Sequence, residues 1–466
     1  MNFLYRAVDY ARGLMGGART AATEQLQKIT RDNLVARAVA FYYGIVPPQL
    51  KVRVGEPDDN VCINYAEVIV DKGVAFLFGK PLRITVGKGG EEYLEQVWPQ
   101  AQRDEEFQEM AQDGGTSGDA YLKISIEPDG SPRVTVGDPT IFEIISDQHD
   151  LSRVVMFRCQ YPLTDSTGRE YFFKEETSRA ADGRSWQIEQ YESYDGKRWS
   201  SVGTGVTWNF SFPPIFHCKN LPQPKSAYGK PDLTEPVLQV IAYISRLDSM
   251  CGKIVRMHSS PKPWAKNLKP QDLKWGTDGM LFLQSAGGGG AVKVEQEIGL
   301  LEMSGDLSSA LELRKVLREG LAEMTGVPEV ATGKLENVGQ LAGVALRLMY
   351  GPLIEKTEKK QLRYGRMITE CVKALLAVGV KAGKLKAAEV AVTLNWTDPL
   401  PGDEKAKTDV AEAKLRVGFS KDTVIKELGG DPVQERQKRQ LDAQERGDAF
   451  NAGGDGAPLG TDLLAA

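Results

Sequence analysis

The stretch Met324-Thr325-Gly326-Val327-Pro328-Glu329-Val330-Ala331-Thr332-Gly333-Lys334-Leu335-Glu336-Asn337-Val338-Gly339-Gln340-Leu341-Ala342-Gly343-Val344-Ala345-Leu346-Arg347-Leu348-Met349-Tyr350 holds a helix end, a loop and a helix start. Ahead of it, Leu307, Leu311, Leu317, Leu321 and Met324 recur at helical spacing from a start near Asp306. Gly326 and Pro328 stop that helix: glycine accepts the left-handed turn that closes a helix, and proline lacks the amide that would continue it. A polar segment with Gly333 and Gly339 follows. Helical spacing returns at Leu341 and runs to Val378, which predicts one long helix kinked at Gly351-Pro352.

Working upstream, Val237, Ile241, Ile244, Leu247, Cys251 and Ile254 form one apolar stripe, and Asp232 with Glu235 reads as a capping box for that helix. Between the two striped helices lies a small insert, Pro261 to Met303. It holds Pro263, Trp264, Pro270 and Trp275, expected strands at Met280–Gln284 and Val292–Glu295, and the run Gly287 to Gly290. The order is therefore helix, insert, helix, loop, long kinked helix. Two such helices can line a ring channel as a pair, with the insert at one end and the loop projecting from the wall.

The amino-terminal half changes character twice. Helical spacing covers Leu4 to Tyr43, Asn60 to Phe78 and Glu91 to Gly114. Alternation then takes over at Tyr121–Ile126, Arg133–Val136, Arg153–Tyr161, Arg169–Lys174, Trp186–Tyr194 and Gly205–Phe212, with turns at Pro128-Asp129-Gly130 and Asp195-Gly196. This predicts an antiparallel meander inside an α+β, mainly helical protein. Beyond Trp396 a charged helical part spans Asp403 to Arg446, and Gly453 to Ala466 reads as disordered.

Composition narrows the function. The 466 residues are 41% hydrophobic, enough for several cores, and the formal net charge of −5 argues against a protein that grips nucleic acid over its whole surface. Five scattered cysteines without CxxC spacing suit free thiols in a reducing cytoplasm. Arg6, Asp9 and Arg12 interrupt any signal-peptide core, and no apolar run reaches membrane-spanning length, so no membrane partner is expected. Gly79-Lys80-Pro81 lacks the glycine spacing of a phosphate-binding loop, and Gly115-Thr116-Ser117-Gly118 has the wrong spacing for a nucleophile elbow. With three histidines and no HExxH, neither metal nor cofactor chemistry has a visible scaffold, and the chain reads as a non-enzyme.

Several separated segments resemble the portal, or head-tail connector, proteins of long non-contractile-tailed double-stranded DNA phages. They are Asn64-Tyr65-Ala66-Glu67-Val68-Ile69-Val70-Asp71-Lys72 running on to Leu77-Phe78-Gly79-Lys80-Pro81-Leu82, Tyr228-Gly229-Lys230-Pro231-Asp232-Leu233, and Met324 to Pro328 with Ala342 to Leu353. Asn395-Trp396-Thr397-Asp398 and Leu428-Gly429-Gly430-Asp431-Pro432 complete the set. The resemblance covers about Asn60 to Glu445.

It implies a homo-oligomeric ring, a dodecamer, with wing, stem, clip and crown regions. Matched to the chain, 1–59 is an amino-terminal helical segment, 60–231 the wing, 232–260 and 304–327 the stem helices, and 261–303 the clip. The tunnel loop is 328–340, the long kinked helix and its connection 341–402, the crown 403–450 and a disordered tail 451–466. The ring would pass double-stranded DNA, dock a terminase and then a head-tail adaptor, and contact the major capsid or scaffolding protein. Its place would be the portal vertex of the virion, after assembly in the host cytoplasm.

Thr332, Gly333, Lys334, Glu336, Asn337 and Gln340 would face DNA from the tunnel loop, and Lys253, Arg256 and Lys262 are candidate basic guides. Such contacts must centre a duplex without holding it. Trp264, Lys266, Lys269 and Trp275 are candidate partner contacts in the clip, although the two tryptophans serve equally as the core of so small a module. Arg314, Lys315 and Arg318 are candidates for pairing across subunits, and every basic residue here also reads as a solvated charge. Two other readings stay open on the residues alone: a nucleic-acid-binding accessory or enzyme acting as a small oligomer, and a scaffold without DNA contact.

Overall fold

Asn64 shows how local chemistry starts the fold. Its side-chain oxygen accepts from the Glu67 amide at 3.2 Å while its amide donates to the Glu67 carboxylate and to the Tyr42 carbonyl. One residue thus caps α2 (Tyr65–Phe78) and ties it to the end of α1 (Ala21–Tyr42). The computed structural model describes residues 21–52, 54–55, 57–87, 89–147, 150, 153–224, 226–259, 262–266, 297–301, 307–332, 347–386, 391–400, 404–427, 435–436 and 438. The chain divides into two units, residues 1–340 with 348–399, and 341–347 with 400–466.

In the larger unit, β1 (Arg83–Val86) follows α2 and pairs with β13 (Val392–Asn395) from the far end of the unit. The helix expected over Glu91–Gly114 is two helices, α3 (Gly90–Val97) and α4 (Gln100–Ser117). Proline drives the residue before it out of helical geometry, and Trp98 at φ −143° breaks the run ahead of Pro99. Gly118 closes α4 in the left-handed region at φ 91°.

The expected meander is present but divided between two sheets. β2 (Asp119–Ile126) lies between β10 (Ile215–Lys219) and β3 (Pro132–Gly137) in one. The other runs β4 (Phe142–Ser146), β5 (Val154–Thr164), β6 (Glu170–Arg179), β7 (Trp186–Ser193) and β8 (Ser200–Ser201), with β9 (Val206–Trp208) also on β7. β2 is buried at every position over its first half, because β10 and β3 pair with its two edges while α4 and α7 pack on it, which hides the alternation a half-buried strand would show.

The two striped helices are α5 (Glu235–Ser259) and α6 (Ser308–Thr325), and the insert between them begins and ends in a strand pair, β11 (Lys262–Lys266) with β12 (Glu297–Leu301). The strands expected at 280–284 and 292–295 lie outside the described residues. After a short 3-10 turn (Glu329–Thr332) and the undescribed segment 333–346, α7 runs from Gly351 to Lys381. Residues 347–349 are helical, Tyr350 is a turn, and Pro352 stands in the first turn of α7, where its missing amide costs nothing, so the helical path is interrupted at the expected place and restarts at Gly351. Leu353, Thr357, Lys360, Tyr364, Ile368, Cys371 and Leu375 are buried along it, making α7 the spine of the core.

The smaller unit contains α8 (Glu404–Val417) and α9 (Lys421–Glu427), joined through Gly418 at φ 99°. Ala411 and Val424 are buried in it, and Arg436 pairs with Asp422.

Candidate functional site

The polar centre of the larger unit is built from segments that look unremarkable as letters. α4 ends in Gly114-Gly115, where the absence of side chains lets two buried groups approach: Tyr364 of α7 beside Gly114, and the Asp232 carboxylate beside Gly115. Asp232 is fully enclosed and lies against two lysines of α7, Lys360 at 2.5 Å and Lys356 at 3.0 Å. The spacing of 356, 360 and 364 puts Lys356, Lys360 and Tyr364 on one face of the helix. Tyr364 donates to Asn220 at 3.1 Å, and the Asn220 amide lies 3.4 Å from Asp232, closing the network. Burial alone would push the Asp232 carboxyl up; the charge of Lys356 and Lys360 with their hydrogen bonds reverses this and holds it at about 2. Burial lowers Lys360 in turn, with Asp232 opposing.

A second carboxylate, Asp119 at the start of β2, is equally enclosed. It accepts from the Gly229 amide at 2.7 Å, lies 2.8 Å from His217 Nε2 and pairs with Arg31 of α1 at 3.3 Å. The Arg31 guanidinium stacks over the Tyr228 ring at 3.9 Å. The Tyr228 hydroxyl in turn engages both backbone groups of Ile144. Tyr228-Gly229-Lys230-Pro231-Asp232 is thus the joint at which both sheets, α1, α4 and α7 meet the start of α5. The capping box expected of Asp232 and Glu235 is not formed: Asp232 turns inward to the lysines, and Glu235 pairs with Arg37 at 2.6 Å.

From this joint α5 and α6 run together. Arg314 holds Asp248 through two bonds, 2.5 and 3.2 Å, and Arg318 pairs with Glu329 at 3.0 Å, so two of the three residues expected to reach across subunits have partners within their own chain. Lys315 is exposed and 4.0 Å from Glu319. Arg256, expected as a basic guide, is bound on two oxygens by Asp59 at 2.7 and 2.6 Å, and Lys253 lies within electrostatic reach of the same carboxylate. Asp59 belongs to a strap along α5, fastened where the buried Ser249 hydroxyl takes the Val61 amide at 2.9 Å. Lys262, Trp264 and Lys266 occupy β11, but their side chains lie outside the described residues, as do Lys269 and Trp275. Thr332 ends the 3-10 turn; Gly333, Lys334, Glu336, Asn337 and Gln340 also lie outside the described residues.

The apolar pattern of α5 and α6 is only half used within the chain. Val237, Ile241 and Ile244 are buried, and Leu247, Cys251 and Ile254 are half-buried. On α6 only Leu321 of the expected stripe is buried; Leu311 is 58% exposed and Met324 48%, joined by Leu313 and Val316. Tyr243, Met250 and Val255 are open on α5. Among the described residues no group of three or more His, Cys, Asp or Glu is placed to hold a metal ion, and no helix is long and apolar enough to cross a membrane.

Comparison with known proteins agrees with the earlier resemblance. The family described as phage portal protein, SPP1 Gp6-like, matches residues 42–448. No curated protein matches the chain. Similar solved structures include a chain from the neck of an empty GTA particle computed with C6 symmetry, 12% identical over 85% of this chain and 94% of that one, TM-score 0.46. A chain from the virion of a native gene transfer agent particle is 13% identical over 86% and 99%, TM-score 0.42. One from the neck of a native GTA particle computed with C12 symmetry is 12% identical over 79% and 90%, TM-score 0.44. With the family model spanning residues 42–448, this chain belongs to the SPP1 Gp6-like phage portal proteins.

Proposed function

We propose that the chain is the subunit of a closed ring of about twelve copies at one capsid vertex, through which phage double-stranded DNA enters during packaging and leaves at ejection. Family membership over residues 42–448 supports the portal role. The observation that carries the ring is the set of large apolar side chains left open on more than one side of both long helices: Tyr243, Met250 and Val255 on α5, and Leu311, Leu313 and Val316 on α6. A monomer gains nothing from presenting these side chains to water; copies flanking on either side would cover them at about 25 cal/mol per Å² of apolar surface removed from water.

In this reading residues 60–231 form the wing, α5 and α6 the stem, 261–303 the clip, 328–340 the tunnel loop and 403–450 the crown. Lys253 and Arg256, near the clip end of α5, would guide the phosphates, with Asp59 tempering Arg256 so that a moving duplex is centred and not gripped. The clip would dock terminase and later the head-tail adaptor, and the wing would meet the capsid or scaffolding protein. The assembled ring would reside in the virion, having formed in the host cytoplasm.

Leu311→Glu combined with Val316→Glu tests the surface. Both positions are exposed within the chain, so thermal stability of the subunit should stay within about 0.5 kcal/mol per site of wild type. Light scattering after size exclusion should then report monomers or small oligomers where the wild type gives a ring. A double variant that still assembles fully would remove α6 from the subunit interface.

A further inference from the structure

The start of α5, the end of α6 and the first turns of α7 meet at one side chain. Lys356 Nζ lies 3.0 Å from Asp232 Oδ1, three residues ahead of α5, and donates at 2.9 Å to the carbonyl of Thr325, the last residue of α6. Lys360 approaches the other oxygen of the same carboxylate. The two lysines are not equivalent. Lys360 is enclosed, with 4% of its side chain exposed, and losing it would strand a buried carboxylate. Lys356 keeps 17% of its side chain in contact with solvent and can withdraw into water while Lys360 remains on Asp232.

The Thr325 carbonyl belongs to the last turn of a helix, where backbone oxygens lack intrahelical donors and attract a cation. Packing seats this end, with Leu321 and Val327 in the core and Gly326 against Pro352 of α7, but its other hydrogen bonds and ion pairs are local. Thr325 Oγ1 donates to the Leu321 carbonyl and accepts from the Val327 amide, while Arg318 joins α6 to Glu329. Among the hydrogen bonds and ion pairs of the described residues, Lys356 is what connects the Thr325 carbonyl to both α7 and the start of α5.

We infer that Lys356 is a releasable tie, a positioning residue that seats the end of α6 on α7, whereas Lys360 permanently secures the start of α5. The end of α6 can then shift against α7 by exchanging the Lys356–Thr325 bond for water, without opening the buried joint at Asp232. The tie follows from the fold of one subunit and does not depend on ring formation.

Hydrogen exchange on the full-length protein tests it, comparing wild type with Lys356→Met, Lys356→Arg and Lys360→Met. A charge-assisted hydrogen bond lost from a helix end predicts about tenfold faster exchange, or more, in peptides spanning 321–327 of Lys356→Met. Peptides spanning 215–233 should stay protected as in wild type, and Lys356→Arg should restore protection at 321–327. Lys360→Met should instead expose 215–233 or fail to fold. Unchanged exchange at 321–327 in Lys356→Met overturns the tie. So does equal loosening of 215–233, absence of rescue by arginine, or failure of Lys356→Met to fold, since each makes Lys356 another fixed part of the joint. Loss of ring assembly with these patterns intact would bear on the portal reading alone.

Discussion

Gly229→Ala is expected to destabilise the larger unit by about 3 kcal/mol or more, the upper end of what an inserted methyl does in a packed core. The new Cβ would overlap the Gly118 carbonyl oxygen and stand 2.9 Å from both Cα and Cβ of Lys219. Two of those three atoms are backbone and cannot rotate away. The crowding is reciprocal, since a Cβ on Gly118 would lie 2.7 Å from the Gly229 carbonyl, and Gly118 already sits at φ 91°. Relief by moving Gly229 would break its amide bond to Asp119, a buried acceptor that also holds His217 and Arg31. Against a total stability of about 5–15 kcal/mol, that loss should appear as a large drop in the urea midpoint. Gly320→Ala supplies the contrast: inside α6, with nothing within 4 Å of the added methyl, it should be neutral or stabilising by up to about 1 kcal/mol. Equal midpoints for the two variants would mean that the Gly118–Gly229 contact is not close.

Asp232→Ala should cost about 3–5 kcal/mol, because it leaves the enclosed Lys360 ammonium without a counter-charge. Lys356 reaches solvent, so most of the penalty falls on Lys360. The double variant Asp232→Leu with Lys360→Met should therefore recover much of the loss, since removing both charges leaves no stranded ion. The wild type should also show a defined acid response. The folded carboxyl, held at about 2, lies below its unfolded value of about 3.9. The stability it contributes is fully present above the unfolded value and drains away as pH falls through about 2. Unfolding midpoints measured between neutral pH and that range should decline more steeply for the wild type than for the double variant. Parallel curves would show that Asp232 is not the anchor described above.

Helices α2, α5, α6 and most of α7, and the strands of the meander, could be read from periodicity because each presents a regular apolar face. The misreadings have local causes. Proline carries opposite meanings at two positions: ahead of α4, Pro99 breaks a helix that the spacing alone would run through, whereas Pro352 begins one. Asp232 has the letters of a cap but is captured by lysines more than a hundred residues away, a contact no local pattern reports. Gly115-Thr116-Ser117-Gly118 lacks the spacing of a nucleophile elbow, and Gly114, Gly115 and Gly118 instead admit Tyr364, Asp232 and Gly229; the glycine density was a signal of close approach with its partners unnamed. Leu311 and Met324 show a further limit: periodicity finds an apolar face and does not say whether the same chain covers it. The basic candidates divide in the same way. Arg314 and Arg318 gained partners within the subunit, while the side chains expected to contact DNA from 333–340 rest on chain position alone.

In the proposed ring, flanking copies cover the open side chains of α5 and α6 and the subunits close around a channel. Electron microscopy of the purified full-length protein tests this most directly. Closed rings, about twelve subunits around, with a central hole wide enough for a DNA duplex, are the expected result. Monomers or open chains of subunits across all assembly conditions, with no ring, would contradict it.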